Sequence, residues 1–358
     1  MRALVAGWIG STNLGDELVF KGLCRHLDDL GIEPVAVSVA PSETAAVHGV
    51  DAIRHAGPVD TPSLAWRARG LDAVVFGGGG LIQDQTSPWN VPFHLARLSA
   101  GRRRRTPWAG VGLGIDELQS RLSRMQARWS LRGAVGVTVR DEASAQAARQ
   151  IGLQTVVAAD LALALDPPVS ASVDRLVVAL RPPTRSGFGT AAAKAAAQPD
   201  GGFVSWLAAS LDKLASDHGL DVRFVAFQRD RDRAVHERVT AAMTAPSTLV
   251  EPDLDTILDE LASSRLVVTM RYHGAVGALL ASRPAVLIDY SQKMANLSHE
   301  LGKAYPTIAP AVGDDGALSV AAVSAIERTG TLAGHLERLR GRERANRRLL
   351  ERLADAAR

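Results

Sequence analysis

Chemistry-bearing residues stand at several corners of this chain where a strand hands over to a helix. In "LVVTMRYHGAVGALLASRP", residues 266–284, an apolar run delivers Arg271 and His273 immediately ahead of a small-residue helix. A strand that simply ends usually finishes in Gly, Asn or Asp turn chemistry. A cation and an imidazole at such a corner suit an anionic ligand and a proton transfer, because helix N–H groups are free there. In "VTVRDEASAQAARQIG", residues 137–152, Arg140 ends a strand while Asp141 and Glu142 open a helix. The two acids match the positive helix end; the arginine opposes it unless an anion or an acid meets it. Lys293, in "VLIDYSQKMANLSHELG", follows the next strand after His273, so the two are expected at adjacent strand ends. Arg181 closes "VVALR" in the same manner. Each has a plain alternative: a lone histidine is often a satisfied core group, and Arg271 can simply pair with an acid.

Two glycine-bearing stretches accompany these residues. "GWIGSTNLGDE", residues 7–17, follows a strand and opens a helix, but its spacing matches neither the dinucleotide nor the P-loop fingerprint. Asn13 is placed to cap that helix, with Asp16 and Glu17 at its positive end. "FGGGGLIQD", residues 76–84, sets Gly79 and Gly80 among four glycines at a strand end, where the backbone can approach a ligand or a packed helix closely. Helix N-termini near residues 15, 80 and 274 are expected to offer N–H donors.

The elements that must hold these corners alternate. Strands are predicted at 2–8, 33–40, 71–80, 106–115 and 134–141, each beside a helical pattern, and this alternation specifies a parallel sheet with helices on both faces. Asp166-Pro167-Pro168 breaks the pattern, which restarts with "LVVALRPP", "DVRFVAFQ", "STLVEP", "RLVVTM" and "PAVLIDY". Two Rossmann-like, doubly wound α/β domains follow, 1–168 carrying Arg140 and 172–330 carrying His273 and Lys293, with an interdomain cleft as the working site. Residues 331–358 form a charged amphipathic helix expected to pack through Leu339, Leu349, Leu350 and Leu353. Residues 182–202, rich in Ala, Gly and Pro, are expected to form a mobile loop.

Composition narrows the function classes. The 358 residues, 46% hydrophobic and 22% charged, describe a chain able to bury large cores. A net charge of +3 suits an anionic small molecule or headgroup surface better than nucleic acid, and aromatics at 4% do not interleave with the basic run. That run, "GRRRRTP" at 101–107, is either a solvated edge or an attraction to anionic lipid. The single cysteine, Cys24, excludes an internal disulfide and reads as a buried, inert thiol in a helix. No metal-ligand spacing is visible among the nine histidines or the carboxylates, so no metal and no cofactor are expected. The opening "MRALVAGWIG" is unlike a signal peptide and no run reaches about 18 apolar residues, so a cytoplasmic protein, with peripheral contact at the inner membrane face left open, is expected.

The motifs in this order, "GWIGSTNLGDE", "FGGGGLIQD", "TVRDEASA" and "MRYHGAVGALLASRPAVLIDYSQK", resemble the polysaccharide pyruvyl transferase family over about residues 1–305. The resemblance implies a fold similar to GT-B glycosyltransferases and transfer of the enolpyruvyl unit of phosphoenolpyruvate to a sugar, forming a pyruvate ketal. It further implies that Arg140 binds phosphoenolpyruvate and that His273 and Lys293 serve donor binding or catalysis. Departures from the family forms are Tyr272 for Leu, Thr138 for Ser and "DYSQK" for "SYDPK", the last removing an acid ahead of the lysine. On this reading His273 transfers the proton, with Asp16 the second candidate acid or base. Arg140, Lys293 and Arg271 hold the donor, and Asn13, Gly79, Gly80 and Arg181 are cleft or acceptor candidates. The partners are phosphoenolpyruvate and a sugar acceptor, lipid-diphosphate-linked in one version. The rival readings are a GT-B glycosyltransferase with a nucleotide-sugar donor and a non-catalytic sugar-binding protein on the same fold.

Overall fold

Val, Ile, Leu and Ala fill most positions of the strands and are mostly buried there, the pattern of strands covered on both faces rather than of sheets with one wet side. A computed structural model describes residues 1–102, 106–182, 202–289, 292–301, 304–310, 314 and 316–358, with the side chains of Gln292 and Lys293 outside the description. Residues 103–105 of the basic run and nearly all of the expected 182–202 loop lie outside it as well. Internal contacts divide the chain into two units: Met1–Ser11, Asp16–Leu165 and Leu339–Arg358 form one, Thr12–Gly15 and Asp166–Arg338 the other.

The N-terminal unit holds a seven-stranded parallel sheet of order β3-β2-β1-β4-β5-β6-β7. Its strands are β1 (Arg2–Ile9), β2 (Glu33–Ser38), β3 (Asp51–Arg54), β4 (Ala73–Ile82), β5 (Trp108–Ile115), β6 (Val137–Val139) and β7 (Val156–Val157). Helices α1 (Leu14–Asp29), α2 (Pro41–His48), α3 (Thr61–Arg67), α4 (Asn90–Gly101), α5 (Arg121–Ser130) and α6 (Glu142–Gln150) connect them. One core joins α3 to α6 to the sheet around Phe76, Leu95, Leu98 and Trp108. The other lies under α1 and takes in Leu349, Leu350 and Leu353 of the C-terminal helix Leu332–Ala357. Burying each of those leucines contributes roughly 1.5–3 kcal/mol relative to exposure, and Thr138 Oγ1 adds a 2.6 Å bond to Asn346 of the same helix.

The second unit repeats the plan with a six-stranded parallel sheet of order β10-β9-β8-β11-β12-β13. The strands are β8 (Arg175–Ala179), β9 (Asp221–Val225), β10 (Ser247–Val250), β11 (Leu266–Thr269), β12 (Ala285–Ile288) and β13 (Thr307–Ile308). In both sheets the strand order reverses once, between β1 and β4 and between β8 and β11. Connections leave to opposite sides at such a switch point, and this opens a crevice at the carboxyl ends of the strands.

Two expectations need correction. The four glycines lie within the predicted strand, but no helix begins near residue 80: β4 continues through Gly77–Gly80 to Ile82, with its pairing to β5 shifting register between Gly79 and Ile82, and α4 starts only at Asn90. His273 does not precede its helix but occupies the first turn of helix Tyr272–Leu280, with Arg271 as the N-cap residue.

Candidate functional site

In the N-terminal unit the site residues gather where β1 and β4 diverge. Leaving β1, the chain is tied back by Glu17, whose Oε1 accepts the N–H groups of Gly10 (2.8 Å) and Ser11 (3.2 Å) while Oε2 meets His48 Nε2 at 2.8 Å. Glu17 therefore organises the loop, a role beyond the helix-dipole acid that its position suggests. Thr12 is held at φ 61°, a left-handed conformation that costs a β-branched residue about 1–3 kcal/mol. On β4, Gly79 has φ 84°, and a Cβ there would sit 3.1 Å from Oδ1 of Asp16.

Arg140 reaches this place from two strands away. It follows β6, is 3% exposed, and lays its guanidinium over Gly114 of β5. A Cβ on Gly114 would fall 2.9 Å from Arg140 Cζ and 2.9 Å from the Cα of Gly80. The absent side chain at 114 is what lets the cation cross β5 toward β4. Asp141 steadies it with Oδ2, 3.2 Å from Nε, while Oδ1 caps α6 by accepting Ser144 N–H at 2.7 Å. Asp16, Gly79, Gly80 and Arg140 thus share the carboxyl ends of β4 to β6.

A buried cation stands behind this loop. Arg97 is fully buried, donates to the carbonyl of Gly7 and, at 2.5 Å, to that of His55, and lies over the rings of Phe93 and Trp8. Burial pulls its pKa down to about 9. Burial, with the charge of Arg97, pushes His94 to about 3 and lowers His55, so both imidazoles are neutral at pH 7. The effect is to pin the end of β1 just ahead of the loop. Cys24 behaves as expected of an inert thiol, burial raising its pKa to about 12.

In the second unit three strand ends are tied together by one helix. Helix Arg229–Ala242 turns Asp232, Val235, His236 and Val239 inward. Asp232, fully buried, accepts the N–H groups of Phe227 (3.1 Å) and Gln228 (2.9 Å) beyond β9 and pairs with the Arg271 guanidinium beyond β11. His236 Nε2 accepts Leu180 N–H at 3.0 Å beyond β8, and burial lowers its pKa to about 4, so the ring is a neutral acceptor. Arg271 Nε also donates to Leu180 O at 3.4 Å, which fixes the backbone immediately ahead of Arg181. Arg271 is thus an acid-paired residue, as its plain alternative allowed.

His273, 7% exposed, meets Thr12–Gly15 of the first motif, which clusters with this unit. Leu14 N–H donates to Phe227 O at 2.8 Å, Gly15 N–H to Asn13 Oδ1 at 3.3 Å, and a Cβ on Gly15 would fall 2.2 Å from His273 Nδ1. The Tyr272 ring stands edge-on to His273, centroids 5.1 Å apart. The structure therefore brings Asn13 and Gly15 to His273, and separately brings Asp16, Gly79 and Gly80 to Arg140. Lys293 is the second residue of helix Gln292–Glu300, and its side chain lies outside the described residues.

Asp232, His236, Gly114 and Arg97 were not singled out from the sequence. The signal for Asp232 and His236 was present as their i, i+4 spacing alternating with Val235 and Val239 inside "RDRDRAVHERV". Among the described residues no group of three or more His, Cys, Asp or Glu could hold a metal ion, and no helix is long and apolar enough to cross a membrane.

Known structures share this architecture. A glycosyltransferase from Rickettsia africae superposes with a TM-score of 0.61 at 11% identity, over 99% of this chain and 97% of its own. UDP-GlcNAc 2-epimerase from Neisseria meningitidis bound to UDP-GlcNAc gives 0.59 at 11% identity, over 99% and 100%. Anabaena HepE in complex with UDP-glucose gives 0.56 at 13% identity, over 100% and 98%. At such identities the likeness is one of fold, the GT-B arrangement of two parallel-sheet α/β domains. No curated protein matches the sequence. The family model for polysaccharide pyruvyl transferase matches residues 13–292, a span that includes Asn13, Arg140, Arg271 and His273, and the chain belongs to that family.

Proposed function

We propose that this chain moves the enolpyruvyl unit of phosphoenolpyruvate onto a sugar of a cell-surface or secreted polysaccharide, or its lipid-linked precursor, closing a pyruvate ketal and releasing phosphate. The observation that carries the reading is His273, seated in the first turn of a helix against the Asn13–Gly15 loop. The residue types fit the donor. Phosphoenolpyruvate presents a carboxylate and a phosphate on one small frame, and arginine and lysine recognise such groups through charge-assisted hydrogen bonds.

The proposed sequence conserves every atom. His273 delivers a proton to the methylene carbon, leaving an oxocarbenium-like centre to which the first sugar hydroxyl adds. The second hydroxyl then displaces phosphate and closes the ring. Of the two hydroxyl protons lost, one replaces the proton that His273 gave to carbon and the other leaves with phosphate. Arg140 and Lys293 hold the donor and ease phosphate departure, Arg271 is a further donor contact set by Asp232, and Asp16 is the second acid or base. Asn13, Gly79, Gly80 and Arg181 shape the acceptor side. With a lipid-diphosphate-linked acceptor the enzyme would act as a peripheral protein at the inner face of the plasma membrane.

Thermal-shift titration tests the donor. Stabilisation by phosphoenolpyruvate and none by a panel of nucleotide sugars supports the reading; the reverse supports a nucleotide-sugar glycosyltransferase on the same fold.

A further inference from the structure

Helix α5 faces the wrong way for a surface helix. Its inward residues are small, Ser123, Ala127 and Ser130, while Leu122, Met125 and Trp129 are 56, 62 and 73% exposed. Those three stand at i, i+3 and i+7 and form one outward apolar stripe, where an ordinary helix would place polar residues. Arg121 and Arg128 are exposed beside the stripe, Arg132 is exposed just past the helix end, and residues 121–130 contain no acid. Among the described residues no carboxylate pairs with any of the three arginines.

The helix is held rigidly in this orientation. Ser120 caps it by accepting Leu122 and Ser123 N–H groups, and Asp84 accepts the N–H groups of Gln119 (3.0 Å) and Ser120 (2.9 Å). At the other end Arg102, stacked over Trp108, donates to Ser130 O (2.6 Å) and Arg132 O (3.2 Å). The first arginine of the basic run is thus a fastening for α5. The other exposed indoles of this unit, Trp66 on α3 and Trp89 at the cap of α4, belong to the same layer of helices. Leu, Met and Trp side chains bordered by arginine, without acids, match the boundary of an anionic bilayer: apolar tips enter the acyl edge while guanidinium groups stay with the phosphates.

We propose that α5, through its apolar stripe and the bordering Arg121, Arg128 and Arg132, docks this protein on the surface of a membrane rich in anionic phospholipid. The inference rests on surface chemistry alone and not on which group the enzyme transfers.

Vesicle sedimentation of the full chain tests it, without donor or acceptor. Wild-type protein is expected to pellet with phosphatidylcholine–phosphatidylglycerol vesicles, to remain in solution with phosphatidylcholine alone, and to be released by high salt. A Leu122→Ser, Met125→Ser, Trp129→Ser variant and an Arg121→Gln, Arg128→Gln, Arg132→Gln variant should each lose about tenfold or more in partitioning, with unchanged urea midpoints because the altered side chains point outward. Failure of the wild type to bind anionic vesicles, or wild-type binding by both variants, overturns the proposal. So does a wild-type dimer that the serine variant converts to monomer on gel filtration, since the stripe would then be covered by a second copy. Phosphate release from phosphoenolpyruvate, measured separately, reports on the chemistry independently of this result.

Discussion

His273 and Gly15 lie in contact: a Cβ added to Gly15 would fall 2.2 Å from the imidazole Nδ1. The glycine is therefore a space kept empty for the ring. Gly15→Ala should push His273 aside and lower kcat for phosphate release by about a hundredfold, the usual cost of misplacing a reacting group by an ångström. Gel filtration and the unfolding midpoint distinguish this local displacement from general misfolding.

The same logic applies to Arg140, which passes over Gly114. Gly114→Ala should displace the guanidinium and raise the Kd for phosphoenolpyruvate by about tenfold, the worth of one charge-assisted contact. Arg140→Ala should weaken binding at least as much. Isothermal calorimetry with phosphoenolpyruvate measures both.

Asp232 holds the ends of β9 and β11 together through the N–H groups of Phe227 and Gln228 and the Arg271 side chain. Asp232→Asn removes one member of a buried pair and should destabilise the fold by about 3–5 kcal/mol. Urea unfolding followed by circular dichroism gives the value. An unchanged midpoint would mean that Arg271 is held chiefly by other contacts.

His236 sets a pH dependence. Burial lowers its pKa from 6.5 to about 4 in the folded chain. Between those values the unfolded chain binds more protons, so the His236 contribution is complete above pH 6.5 and is lost as pH falls toward 4. The loss amounts to roughly 3 kcal/mol. His236→Gln keeps an acceptor for Leu180 N–H but has nothing to protonate. Its stability should therefore fall less than that of the wild type across this window, while buried His94 and His55 continue to contribute to both proteins.

The fold was legible because its strands are continuous apolar runs punctuated by helical patterns, and β1, β2, β5 and β8 to β12 stand close to where those runs predict them. The short edge strands β3, β7 and β13 were not, since two to four residues leave no period to read. Arg140, Arg271 and His273 announced themselves as charges at strand ends. Their supports did not. Gly114 matters only because Arg140 crosses a neighbouring strand, and Asp232 only because its helix packs beneath three strand ends. Both facts are tertiary. The glycine run was predicted within a strand, and β4 indeed keeps its pairing with β5 through Gly77 and Gly79; what misled was the helix start expected directly after it, which comes only at Asn90. The surroundings of Gly77 allow nothing larger, with Val111 O 2.0 Å from where a Cβ would stand.

The central claim is that His273 handles the proton that turns phosphoenolpyruvate into a ketal donor. The most direct test incubates wild type and His273→Gln with phosphoenolpyruvate and a set of lipid-diphosphate sugars, following phosphate release and the mass of the acceptor. Wild type should release one phosphate for each ketal formed, and His273→Gln should bind phosphoenolpyruvate yet form almost no product. Wild-type turnover by His273→Gln would contradict the account.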